Sequence, residues 1–262
     1  MIKKFILLTT LALMISSCEN STDVAIDLPY QEYTVIEAQL SAYETFKGVR
    51  ITHTLPLNEP YDIKKAEIKD AFAYIVENDI RILPLHYTMD GMYFADGDFI
   101  ITHDSKYELF AQVGEKTIYS KTVVPDKPVI KEASTANYQY LFARIDARPG
   151  EGYGAAWLMS GSGSRHSNNF FSIETADTFP AELTVRTIDI PPPYNTIQYS
   201  NDFFIQVYAF DKSYKNYFIT SPNGSGIDNI FTSGGGTVSW NVYSKDVIGL
   251  FIGVTRGDAI QP

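Results

Sequence analysis

Four histidines are the side chains of this sequence best suited to bind zinc or to act as a base near neutral pH. They are His53, His86, His103 and His166. None falls in a zinc-binding spacing such as HExxH, although three dispersed histidines can still converge in a fold. A serine nucleophile needs the pattern GxSxG, which the serine-rich segment at 161–167 lacks, and no Walker loop or dinucleotide fingerprint is present. These patterns predict a non-enzymatic protein without a metal or cofactor.

Aspartates cluster in the segment DGMYFADGDF, at Asp90, Asp96 and Asp98. Carboxylates in a tight loop can bind calcium. The EF-hand spacing is absent, however, and Asp-Gly pairs are first of all a turn signal, so we predict a turn without calcium here. Two carboxylates facing each other across a cleft would permit glycoside hydrolysis, which spacing in sequence cannot test. A carbohydrate-active enzyme therefore stays among the alternatives.

Aromatic residues are the enriched class, with 18 Tyr, 16 Phe and 2 Trp. We expect most of them to fill hydrophobic cores. Aromatic side chains in exposed loops instead give rigid contact area for binding protein or sugar. Tyr194 and Tyr199 flank the proline-rich segment PPPYNT, and Trp240 lies near a glycine-rich loop. These three residues are the candidates for an exposed binding platform.

The N-terminal segment MIKKFILLTTLALMISSC has the order of a bacterial lipoprotein signal. Two lysines precede an apolar stretch at 5–15, which is too short to span a bilayer, since a spanning helix needs about 20 residues. The segment ISSC then matches a lipobox ending at Cys18, the only cysteine of the chain. We predict a signal peptide at 1–17, attachment to membrane lipid through Cys18, and a polar tether at 18–29.

Charge and composition narrow the remaining classes. The formal net charge is −10, and two of the lysines lie in the predicted signal peptide. An acidic chain lacks the basic footprint of a nucleic-acid-binding protein. It also lacks the charge needed to dock on anionic lipid, so membrane attachment depends on the acyl chains. A hydrophobic content of 45% predicts a folded rather than a disordered protein.

Short segments with period-two alternation fill the first half of the chain, among them GVRITHTL, YELFAQV and KTIYSKTVV. In the last of these, Tyr119 and Lys121 share one face, opposite Ile118. Alternation of this kind predicts strands with one buried face, and the turn signals between them favour a β-sandwich.

A second set of strand-like segments follows the proline pair Pro125 and Pro128. Because proline lacks the backbone donor of a strand, we place a domain boundary there. The predicted units are an N-terminal β-sandwich at 30–126 and a C-terminal β-rich domain at 127–262. FFIQVYAF reads as a strand buried on both faces, and Asp211 after it as the cap of one short helix.

The order of these segments resembles one family, catalogued as domain of unknown function 4249, from outer-membrane lipoproteins of Bacteroidota. The matching landmarks are the lipobox, a short acidic stretch ending DLP, VIEAQLS, VRITHTLPL, KDAFAYIVEND, DGMYFA, SKYELFAQVGEKTIYSKTVVP, IQVYAFDKSYKNYF and WNVYSKDVIGLFIG. They span nearly the whole chain after the signal peptide.

The resemblance implies an all-β protein of two sandwich-like domains, of which the first is Ig-like or transthyretin-like. It also implies association with a TonB-dependent transporter in the outer membrane, and it supplies no catalytic residues. We therefore expect a lipid-anchored binding or accessory module for nutrient uptake. A surface adhesin or envelope structural protein is the alternative.

Overall fold

Strands dominate the described part of the chain, and its helices are short. The structure is a computed structural model that describes residues 30–160, 165–167, 169–176, 181–220 and 239–262. The predicted signal peptide, tether and Cys18 lie outside the described residues. Among the residues described, no helix has the length and apolar content needed to cross a membrane.

The alternating segments of the first half form strands whose buried positions also alternate, most regularly in the first strand. A four-residue helix, α1 (Ile63–Ala66), starts where Asp62 Oδ1 accepts a hydrogen bond from Lys64 N at 2.9 Å. The strands are β1 (Thr34–Ser41), β2 (Val49–His53), β3 (Phe72–Glu77), β4 (Arg81–Tyr87), β5 (Met92–Ala95), β6 (Ser105–Val113) and β7 (Lys116–Val124).

The second half adds longer strands, a 3₁₀ helix at Ile197–Asp202 and the predicted short helix, α2 (Ser213–Thr220). Asp211 Oδ1 accepts from Ser213 N at 2.8 Å and so supports the start of α2. The strands are β8 (Ile130–Ala136), β9 (Tyr140–Ala147), β10 (Glu151–Met159), β11 (Arg165–His166), β12 (Glu174–Thr175), β13 (Ala181–Arg186), β14 (Phe203–Asp211), β15 (Val242–Tyr243) and β16 (Val247–Ile260).

These strands form two sheets. The larger has the order β11-β10-β14-β16-β1-β2-β5-β4-β3-β6-β7-β15, with β12 also paired to β10. The smaller has the order β13-β9-β8. The large sheet folds back on itself, so that β16 and β7, which are far apart in the strand order, come into contact. Gly253 N of β16 donates a hydrogen bond to Thr122 Oγ1 of β7 at 2.8 Å. The all-β, sandwich-like fold class is therefore confirmed.

One large core is built mostly from residues before the predicted boundary at residues 126/127, and a second is built from residues after it. The strand pairing nevertheless crosses that boundary. β16 runs parallel to β1, from the pair Thr34 and Val247 to the pair Ser41 and Val254. Residues Glu32–Pro262 consequently form one compact unit, in which the last strand completes the first core.

Candidate functional site

A row of aromatic rings crosses the solvent-facing side of the large sheet. Strand register places Tyr74, Phe110, Tyr119 and Tyr243 opposite one another on β3, β6, β7 and β15. Successive ring centroids lie 5.2, 5.0 and 6.5 Å apart. Phe72 adds a fifth ring, 5.8 Å from that of Tyr74. Cross-strand aromatic pairs of this kind stabilise a sheet, which accounts for the inner rings.

The two ends of this aromatic row are more exposed than its middle. Phe72 is 66% exposed and Tyr243 is 58% exposed, whereas the three inner residues are half-buried. A ring face covered by its neighbour is not accessible to a ligand. The row therefore offers aromatic contact area mainly at its ends.

The Tyr243 end opens onto a cleft of about 810 Å³. Small-molecule sites have volumes of roughly 300–1,000 Å³. β7 and β15 line one side, and β12 and the start of α2 line the other. The charged residues among the described lining residues are four lysines and one aspartate: Lys106, Lys121, Lys212, Lys215 and Asp211. We refer to it below as the lysine cleft.

Lys106 is neutralised by carboxylates. Its ammonium nitrogen lies 2.9 Å from Asp79 Oδ1 and 3.2 Å from Glu108 Oε1. Hydrogen bonds to Asp79 and then to Glu108 raise the pKa of Lys106. This lysine therefore contributes little net charge to the cleft.

Lys121 faces the same Glu108 across the strand pair. The Glu108 carboxylate is already engaged, since Tyr119 donates its hydroxyl to Oε1 at 2.6 Å and Lys106 lies beside it. That hydrogen bond raises the pKa of Tyr119 to about 12. Within the described residues, no carboxylate oxygen lies within 4.0 Å of the Lys121 ammonium group.

The α2 side of the cleft carries the other two lysines. Lys215 Nζ donates to Thr175 Oγ1 at 2.9 Å, and neither Lys212 nor Lys215 has a carboxylate within 4.0 Å among the residues described. Asp211 is engaged by its own neighbours: Val123 N donates to Oδ2 at 2.9 Å, and Ser213 N donates to Oδ1 at 2.8 Å. The cleft thus concentrates positive charge in a chain of formal charge −10.

Asn241 holds the segment that carries Tyr243. Its buried side chain donates to Phe251 O at 2.7 Å and accepts from Phe251 N at 2.9 Å. The backbone carbonyl of Asn241 accepts a hydrogen bond from the Ser120 hydroxyl at 2.7 Å. These bonds join β15 to β7 and β16, so Tyr243 projects from a fixed backbone.

The predicted platform residues do not lie together. Tyr194 and Tyr199 are in contact, with ring centroids 5.4 Å apart, and both are half-buried against the second core. The Arg165 guanidinium lies 4.8 Å from the Tyr194 ring centroid. Trp240 packs against Tyr217 at 5.6 Å, in a different core cluster. Cys18 lies outside the described residues.

The residues of the lysine cleft were not among the sequence-based candidates. The alternation in KTIYSKTVV placed Tyr119 and Lys121 on one face, and that was the available signal. The opposition of Tyr119 to Phe110 and Tyr243 depends on strand pairing. The contribution of α2 depends on tertiary packing. Neither of these can be read from local patterns.

A smaller cleft of about 240 Å³ contains several acids. Burial raises the pKa of Glu151, and Tyr153 donates its hydroxyl to that carboxylate. Arg148 lies 2.9 Å from Asp126 in the same cleft. Because each of these two carboxylates has an internal partner, the cleft has the character of a structural network.

His53, His86 and His103 each lie beside one carboxylate, and Asp90 and Asp96 each lie beside one basic side chain. Asp90 Oδ1 is 2.6 Å from Lys64 Nζ. In the part of the chain that the structure describes, no group of three or more His, Cys, Asp or Glu side chains is arranged to hold a metal ion. The histidine pairs are His53 with Glu32 at 3.6 Å, His86 with Asp96 at 3.4 Å and His103 with Asp126 at 3.0 Å.

Comparison of the chain with protein-family models and with curated proteins gave no match.

Proposed function

We propose that this protein is a lipid-anchored, non-enzymatic binding module of the outer membrane that serves a TonB-dependent nutrient transporter. The observation that carries the proposal is the lysine cleft. It combines the volume of a small-molecule site, lysines without carboxylate partners among the described residues, and an exposed ring, Tyr243, at its edge. Pockets of this kind, with a few convergent polar groups, are the usual places for ligands.

The lipobox supports the membrane part of the proposal. Diacylglycerol on Cys18 and the tether at 18–29 would confine the protein to the membrane plane. Confinement beside a transporter raises the effective concentration of each partner, so that a small and weak interface is still occupied. The family resemblance supports a TonB-dependent transporter as that neighbour.

A specific surface favours the alternative, an adhesin or envelope structural protein. Exposed apolar side chains lie along the hairpin of β3 and β4, from Phe72 at its open end to Ile80 and Ile82 at its turn. Phe72, Ile80 and Ile82 are 66%, 87% and 63% exposed. Exposed apolar patches often mark contacts with other proteins.

The test is affinity purification of the tagged full-length protein from native membranes. We expect a large β-barrel protein in near-stoichiometric amount. The Cys18→Ala variant is the matched control, and we expect it to lose both acyl-chain labelling and the barrel partner. Recovery of this chain alone, in detergents that keep known barrel complexes intact, would favour adhesion instead. Acyl labelling of Cys18→Ala would refute the anchor.

A further inference from the structure

The lysine cleft has more basic than acidic side chains, whereas the protein as a whole is acidic. Lys121, Lys212 and Lys215 line it without carboxylate partners in the described chain, and the Asp211 carboxylate is bound by backbone amides. A cleft in which one sign of charge predominates attracts ions of the opposite sign. An oxyanion in the cleft would also relieve the mutual repulsion of the lysines.

The formal charge of −10 limits the size of that anion. A long polyanion would extend beyond the cleft over an acidic surface and would be repelled there. A short ligand with one or a few charges can place its charge on the lysines alone. Lysine suits such a ligand because its ammonium group is a compact charge with three donors.

Tyr243 favours a ligand that has a ring in addition to its charge, which an inorganic ion lacks. One face of its ring is turned toward the Tyr119 ring, with centroids 6.5 Å apart and ring planes at 28° to each other. Tyr243 lines the cleft and is 58% exposed. Pyranose rings have an apolar face of C–H groups that stacks on such a ring. The hydroxyl of Ser213 and the amide of Asn216 line the same cleft and suit sugar hydroxyls.

We infer that the lysine cleft binds an acidic sugar, with a carboxylate or sulfate group on Lys121, Lys212 and Lys215 and the sugar ring on Tyr243. This inference rests on the proposed binding function and names its ligand class. The cleft selects by charge, and the tyrosine selects for a ring.

Matched pairs of probes test this with the purified full-length protein in calorimetry. The first pair is trigalacturonic acid and its methyl ester, which has the same rings without the charge. The second pair is galactose 6-sulfate and galactose. We expect at least one acidic probe to bind about tenfold or more tightly than its neutral partner, and its affinity to fall as salt is added.

Variants separate the two requirements. Lys121→Gln and Lys215→Gln should each lower the affinity for the acidic probe about tenfold. The weak affinity for its neutral partner should stay unchanged. Tyr243→Ala should lower the affinity for both the acidic probe and its neutral partner. Lys65→Gln, an exposed lysine on α1 paired with Glu59, is the control with the same change of charge and should bind like the wild type.

Equal binding of acidic and neutral probes, or no binding of any probe, would overturn the inference. Tighter binding of adenosine monophosphate than of every acidic sugar would overturn it as well, because the ring would then be a base. Inorganic sulfate binding as tightly as galactose 6-sulfate would remove the role of Tyr243. None of these results affects recovery of a barrel partner from membranes, so the proposed function fails or stands separately.

Discussion

At the scale of single residues, Glu67 is a buried carboxylate with two donors. The Tyr87 hydroxyl donates to Oε2 at 2.6 Å, and Lys69 Nζ lies 3.0 Å from Oε1. The hydrogen bonds from Tyr87 and then Lys69 lower the pKa of Glu67 from 4.5 to about 2. Because the pKa is lower in the folded state, this carboxylate stabilises the fold above pH 4.5, and the contribution is lost as the pH falls toward about 2.

Glu67→Gln should therefore destabilise the protein at pH 7, lowering its melting temperature by about 2–4 °C. It should also reduce the loss of stability between pH 4.5 and about 2, because the titrating group is gone. Urea unfolding at pH 7 and pH 3 measures both effects. Tyr87→Phe, which removes one donor, should give an intermediate result. A variant whose stability falls with pH in parallel with the wild type would contradict this role.

At the scale of elements, β16 depends on glycine where it pairs with β1. Gly249 has a φ of 141°, a backbone conformation that residues with a side chain rarely adopt. It lies opposite Ile36 of β1. A Cβ added at Gly249 would lie 1.9 Å from Ile36 O. The strand pairing thus leaves no room for a side chain at this position.

Gly249→Ala should lower the free energy of unfolding by about 2–4 kcal/mol, because it adds a backbone clash to a strained φ. Gly97→Ala is the control. Gly97 also has a positive φ, of 73°, but an added Cβ would meet nothing within 4 Å. We expect that variant to lose about 1 kcal/mol in denaturant unfolding. Equal losses for the two variants would show that the contact with Ile36 is unimportant.

The strands were predictable because alternation is a local property of the sequence. Asp211 was likewise predictable as a helix cap from its position after FFIQVYAF. The same segment was expected to be buried on both faces, but β14 alternates between buried and half-buried residues up to Ala209. Its outward face includes Phe204 and Gln206, so apolar character alone overestimated its burial. Strand register, which assembles the aromatic row, is set by contacts between distant segments and not by any one of them.

At the scale of the whole molecule, the chain closes its first core with its last strand. Val247 and Phe251 of β16 belong to the same core cluster as Ile36 and Leu40 of β1. Phe251 is fully buried, and its backbone is held by the Asn241 side chain. An N-terminal fragment ending at residue 126 keeps the β1 residues but lacks Asn241, Val247 and Phe251.

The fragment 30–126 should therefore not unfold cooperatively on its own, because a buried side of β1 and part of the core would be exposed to water. Supplying β16 should restore folding. In the parallel pair, the eight paired positions of β1 span roughly 23 Å, since seven intervals of about 3.3 Å separate them. A flexible linker of about 12 residues can join 241–255 to the start of β1 over that distance.

Thermal and urea unfolding of this fusion, beside the isolated fragment, measures what β16 contributes. Phe251→Ala in the fusion is the matched control, and it should remove about 3–5 kcal/mol, the usual cost of deleting a buried phenylalanine side chain. If the fragment 30–126 melted cooperatively at the temperature of the fusion, the first sandwich would be independent of β16. The loss of cooperativity expected here instead follows from parallel pairing between the two ends of the described unit. That pairing makes the N-terminal sandwich depend on residues of β16, which lie far from it in the sequence.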